Sequence, residues 1–72
     1  MSDERIERGI LEFVKARQIP GLTLFEVRAV QGVATVRGRA ASDFAKRVCR
    51  ECCRRVTGVR AVVDLIELAA AW

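Results

Sequence analysis

The chain has 72 residues, with 13 Lys and Arg against 9 Asp and Glu for a net charge of +4, and is 51% hydrophobic. That length makes one domain, 1–72, whose core buries only about 60% of the unfolded surface; apolar residues recurring among charges of mixed sign argue against disorder. Histidine and tyrosine are absent and there is no glycine-rich phosphate loop, so an enzyme is not expected. No stretch approaches the roughly 20 apolar residues of a membrane span.

Five elements are predicted in chain order. The first is a helix from Asp3 to Arg17. Ser2 is its N-cap, Asp3 and Glu4 suit the positive end of the helix dipole, and Lys15 and Arg17 suit the negative end. Ile6, Ile10, Phe13 and Val14 fall in one apolar stripe about 100° wide. Gly9 in mid-helix costs up to about 1 kcal/mol relative to Ala, and is read as tolerated rather than as a close approach. Gln18-Ile19-Pro20-Gly21 stops the helix.

A strand over Leu22 to Val30 follows, with Thr23, Phe25, Val27 and Ala29 on one face and Leu24, Glu26 and Arg28 on the other. Gln31-Gly32 makes a turn into a strand over Val33 to Ala40. There Ala34, Val36, Gly38 and Ala40 oppose Thr35, Arg37 and Arg39, as in an antiparallel pair covered on one side only. Ser42 caps a second helix from Asp43 to Val56, ended by Gly58. The last strand, Val59 to Leu68, is apolar on both faces, which places it deep in a sheet or under a neighbouring subunit.

Two strings stand out in that order: Gly32-Val33-Ala34-Thr35-Val36-Arg37-Gly38, and Val56-Thr57-Gly58-Val59 followed by Val62-Val63-Asp64-Leu65-Ile66-Glu67-Leu68. In order and spacing they resemble the BON domain, a bacterial module named for osmotic-stress and nodulation proteins. The resemblance covers about Ile6 to Leu68, with Asp64 where the family usually has Asn. It implies an α+β fold of αββαβ order, a three-stranded mixed sheet with two helices packed on one face. It also implies a non-catalytic binding or assembly role, phospholipid often being the proposed ligand.

Three features are candidates for function. On the wheel of the second helix, with Phe44 at zero, Ala45, Val48, Cys49, Cys52 and Val56 point between about 40° and 140°. Cys49 and Cys52 are therefore expected in the core and Cys53 near its edge, at about 180°. Four zinc ligands are lacking, and a redox pair works at a helix N-terminus. Core packing is the first reading, with redox sensing or an intermolecular metal or disulfide through Cys53 as the others. Lys46, Arg47, Arg50 and Arg54 form a cationic stripe opposite the core face, open to solvent alone, to an anionic phospholipid surface, to an acidic protein or to nucleic acid. Against nucleic acid, no Gly-x-x-Gly loop lies between the helices, and Phe13, Phe25 and Phe44 all suit the core rather than base stacking. Leu22, Leu24, Leu65 and Trp72 are candidates for self-association as a homo-oligomer. No cofactor, metal or small-molecule substrate is expected. The location is cytoplasmic if the chain is complete, and envelope or periplasmic if it is part of a longer exported protein.

Overall fold

The computed structural model of the chain describes residues 2–69. Helix α1 spans Asp3–Arg17, strand β1 Leu22–Val30, β2 Val33–Ala40, helix α2 Asp43–Arg54 and β3 Ala61–Leu68. This is the expected α+β order. The sheet runs β1-β2-β3, with β1 and β2 antiparallel and β2 and β3 parallel.

Local chemistry sets each boundary. Ser2 Oγ accepts from the Arg5 N–H at 3.3 Å, and Ser42 Oγ from the Ala45 N–H at 3.1 Å. Gln18 closes α1 in the left-handed conformation, φ 49°. Gln31 and Gly32 both have positive φ, 51° and 82°, as a type I′ hairpin requires. Helix α2 ends two residues earlier than the sequence implies. The N–H groups of Arg55 and Val56 bond to the Cys52 and Cys53 carbonyls, so the last turn tightens to i→i−3. The Val59 N–H is then spent on Val56 O and the Arg60 N–H on Gly32 O, at 3.2 and 2.8 Å. Strand β3 therefore begins at Ala61 rather than Val59.

Both helices cover one face of the sheet. The core is built from Ile6, Ile10 and Val14 of α1, Ala29, Ala34, Val36, Ala40 and Ile66 of the sheet, and Ala45, Cys49, Cys52 and Cys53 of α2. Its side chains are mostly small, and small size also governs where α1 meets the turn that follows α2. A Cβ on Gly9 would stand 3.1 Å from Val56 Cγ1. Gly9 thus marks a close approach, against the expectation of a merely tolerated glycine.

Strand β1 departs from simple alternation. Its register to β2 slips between Thr23 and Glu26, so that Leu24 and Phe25 together oppose Gly38. Leu24 takes φ 56° in this bulge. The extra residue shifts the phase: Leu22 turns toward the helices and is half-buried, and Thr23 turns outward. Thr23 was expected on the core face, a place that Leu22 occupies instead.

Strand β3 is an edge strand, not an interior one. One of its outward N–H groups is capped from within the strand. The Ala69 N–H donates to Ala40 O of β2, and alternate N–H groups on a strand point the same way, so that of Ile66 points away from β2. It donates to Asp64 Oδ1 at 2.9 Å. On the opposite edge the Ala29 N–H of β1 donates to Glu7 Oε2 at 2.8 Å. Asp3 completes the pattern by accepting from the Gln31 and Gly32 N–H groups at the hairpin tip, at 2.9 and 3.1 Å.

Candidate interaction surfaces

Helix α2 buries Ala45, Cys49, Cys52 and Cys53 and turns Arg47, Arg50 and Arg54 outward, with Lys46 half-buried at the margin. The four cations of the expected stripe share one surface, but two of them are engaged. Arg47 bonds Asp43 at 2.8 Å and Arg54 approaches Glu51 at 3.5 Å, both on the same helix. The carboxylates lie at i,i+4 and i,i+3, where side chains on a helix meet. Among the described residues Lys46 and Arg50 have no carboxylate partner.

Phe44 does not enter the core. It is 73% exposed, and the sequence already held the reason. At zero on the wheel, Phe44 lies about 40° outside the apolar stripe. Phe44, Phe13 and Val48 form the apolar part of a hollow of about 250 Å³ between the helices, and Arg17, Arg47 and Arg55 supply its cations, with Glu51 the one carboxylate. Arg55 falls about 20° from Phe44 on the same wheel, so its place was legible. Arg17 comes from α1, and only the tertiary packing brings it here.

Cys49, Cys52 and Cys53 are free thiols, all buried, and Cys53 is fully enclosed rather than at the edge of the core. Its flank of α2 faces β3. The Cys53 S–H donates to the Cys49 sulfur, which holds Cys49 below the ordinary thiol range against the opposing effects of burial and of the nearby Asp64 carboxylate. The same hydrogen bond, with burial and the neighbouring Cys49, Cys52 and Asp64 charges, pushes Cys53 far above that range. A thiol so placed is protonated and shielded, the reverse of what a reactive cysteine needs. Among the described residues no three His, Cys, Asp or Glu side chains are placed to hold a metal ion.

The third surface is the sheet face away from the helices. Leu24 and Leu65 lie on it, 74% and 46% exposed, and line one shallow hollow with Glu26, Arg37, Arg39 and Glu67. Leu22 belongs to the opposite, helix-covered face. Trp72 lies outside the described residues.

A model of the BON domain family matches residues 2–70, almost the whole chain. The chain belongs to the BON domain family. No curated protein matches it in sequence. The family is one of small binding modules without catalytic function, and this BON domain has the helix and strand order that the family's motifs led us to expect. Asp64, at the position where Asn is usual, acts here purely as an acceptor toward the Ile66 N–H, which an amide oxygen would do equally well. No helix among the described residues is long and apolar enough to cross a membrane.

Proposed function

We propose that this BON domain is a non-catalytic module that docks on an anionic phospholipid surface through the outer face of α2. The observation that carries the reading is the exposure of Phe44 beside Arg17, Arg47 and Arg55. An aromatic ring costs free energy in water and little at a lipid headgroup boundary, where adjacent cations meet phosphate. Arg50 extends that cationic surface around the helix, and each cation near an anionic leaflet is worth about 1 kcal/mol. One ring and a few arginines give reversible contact, not anchoring.

Nucleic acid is the rival reading, and the same surface serves it less well. Single-stranded binding stacks successive bases on successive aromatics, and Phe44 is the only exposed aromatic among the described residues.

The test is co-sedimentation with vesicles of phosphatidylcholine alone or with phosphatidylglycerol added, at low and high salt. Pelleting with the anionic vesicles only, weakened by salt and by Phe44→Ser or Arg50→Glu, is the expected result. A protein that stays in the supernatant at low salt ends this reading. A salt-dependent shift of single-stranded DNA in its absence would favour the rival.

A further inference from the structure

We propose that the open face of the sheet is a contact between two copies of this chain, packed sheet against sheet about a twofold axis. The axis crosses the strands between the row Arg28–Thr35–Val63 and the row Glu26–Arg37–Leu65. Those rows follow from the register of β1 on β2 and of β2 on β3, and are about 7 Å apart.

Three observations lead there. First, five of the eight large hydrophobic side chains exposed among the described residues lie on this face: Leu24, Val30, Val33, Val63 and Leu65. A parallel strand pair such as β2–β3 is ordinarily covered on both sides, and here the helices cover only one. Second, the cover comes over the face and not beside it. Both outer strands carry a carboxylate on an outward N–H, Glu7 on Ala29 and Asp64 on Ile66, which blunts lateral extension of the sheet. Third, the charges on the face complement themselves. Arg39 already approaches Glu67 at 3.9 Å. Glu26 and Arg28, two residues apart on β1, make no ion pair among the described residues.

A twofold rotation about the stated axis exchanges the two rows. It sets Arg28 of each copy over Glu26 of the other, twice, and brings Val63 onto Leu65 and the Val30 end of β1 onto the Leu24 end. An isologous contact requires a patch to match its own image in this way. The face carries both signs, with Arg28, Arg37 and Arg39 among Glu26 and Glu67, and it is the match of Glu26 to its own image's Arg28 that selects a second copy as the occupant. Eight-residue strands in three columns give a footprint of about 26 by 14 Å, below the ~800 Å² per partner of a standard interface. The association is therefore transient and concentration-dependent. It leaves both α2 surfaces outward, and it is independent of the phospholipid reading.

Sedimentation equilibrium of the wild-type chain over a concentration series up to about 1 mM, with reductant, tests it directly. A monomer–dimer equilibrium is expected. Arg28→Glu alone and Glu26→Arg alone each place like charges across the axis twice, and should weaken association about tenfold or more. Mixed in equal amounts, the two variants should re-form the dimer, because the two carboxylates of one variant then face the two guanidinium groups of the other at both contacts. Leu65→Asp should abolish it, with circular dichroism unchanged in every variant. A wild-type chain that stays monomeric throughout, a dimer indifferent to these substitutions, or a mixture that remains monomeric would each overturn the proposal. The wild-type series stands even if a variant does not fold.

Discussion

Gly38 of β2 lies opposite Leu24 at the one point where the β1–β2 ladder slips, and each residue depends on the other. A Cβ at position 38 would meet Thr23 O at 3.0 Å and Phe25 Cα at 3.3 Å. Those are backbone atoms, which cannot swing aside as a side-chain end can. Gly38→Ala is expected to cost about 1–3 kcal/mol, read as a lower urea midpoint with an unchanged slope. Leu24 in turn holds φ 56°, which costs a non-glycine residue roughly 1–2 kcal/mol. Leu24→Gly relieves that strain and loses about half of it again to unfolded-chain entropy. The expected net is a fold more stable by about 0.5–1 kcal/mol and a weaker dimer. A destabilised Leu24→Gly variant would show that the leucine packs within the monomer after all.

The capped edges make a second prediction. Glu7 and Asp64 each accept a backbone N–H on an outward strand edge. Asp64→Asn keeps the acceptor oxygen and should leave solubility unchanged. Glu7→Ala with Asp64→Ala uncovers both edges and should shorten the lag before light scattering rises on mild heating. Equal lag times for the wild type and the double variant would mean that the caps do not restrain edge pairing.

These elements also mark what the sequence could and could not disclose. Alternation and caps were enough for two helices and three strands, because Ser2, Ser42, Gly32 and the apolar stripes act locally. Phe44 reads as a core residue because phenylalanine is large and apolar, although its own wheel angle lies outside the stripe. Cys53, at the margin of the same wheel, is enclosed because α2 leans on β3, and a wheel carries no information about which flank meets the sheet. The bulge at Leu24 reverses the expected places of Leu22 and Thr23, and no local signal announces it. Gly9 reads as an ordinary mid-helix cost until Val56, 47 positions later in the chain, is seen against it.

Gly9 therefore has a measurable consequence. Ala is better than Gly in a helix by up to about 1 kcal/mol, but its methyl would crowd Val56 Cγ1 at 3.1 Å. Gly9→Ala alone should be close to neutral. In a Val56→Ala background the obstacle is gone, and the same change should gain close to the full helix preference. A double-mutant cycle from urea unfolding gives the coupling; a Gly9→Ala effect identical in the two backgrounds would mean the contact is not restrictive.

Buried thiols link stability to alkaline pH. Cys53 is held far above the ordinary thiol range by its hydrogen bond to Cys49 and by burial. Above about pH 9 the unfolded chain has released that proton and the folded chain retains it. The unfolded state then binds fewer protons, so stability falls as pH rises, by about 1.4 kcal/mol per unit. Cys49, held low, acts in the opposite sense and only below that pH, where the folded chain gives up its proton first. Cys53→Ser keeps a donor and does not titrate in this range. Urea unfolding with reductant between about pH 9 and pH 10.5 should show the wild-type slope and a shallower one for Cys53→Ser. Parallel slopes would mean that Cys53 titrates normally in the fold.

The cations of α2 should not contribute equally to phospholipid contact. Arg47 and Arg54 already face Asp43 and Glu51, so part of their field is cancelled before any membrane approaches. Lys46 and Arg50 have no such partner among the described residues. At about 1 kcal/mol per effective cation, Arg50→Gln should weaken binding to phosphatidylglycerol vesicles about fivefold, Arg47→Gln and Arg54→Gln by less, and Lys46→Gln least, because Lys46 lies about 160° from Phe44 on the wheel. The converse is sharper. Asp43→Asn frees Arg47 and should tighten vesicle binding, even though removing a first-turn carboxylate costs the helix about 0.5 kcal/mol. Weaker binding by Asp43→Asn, with the helix intact by circular dichroism, would mean that the net charge of α2 does not govern the contact.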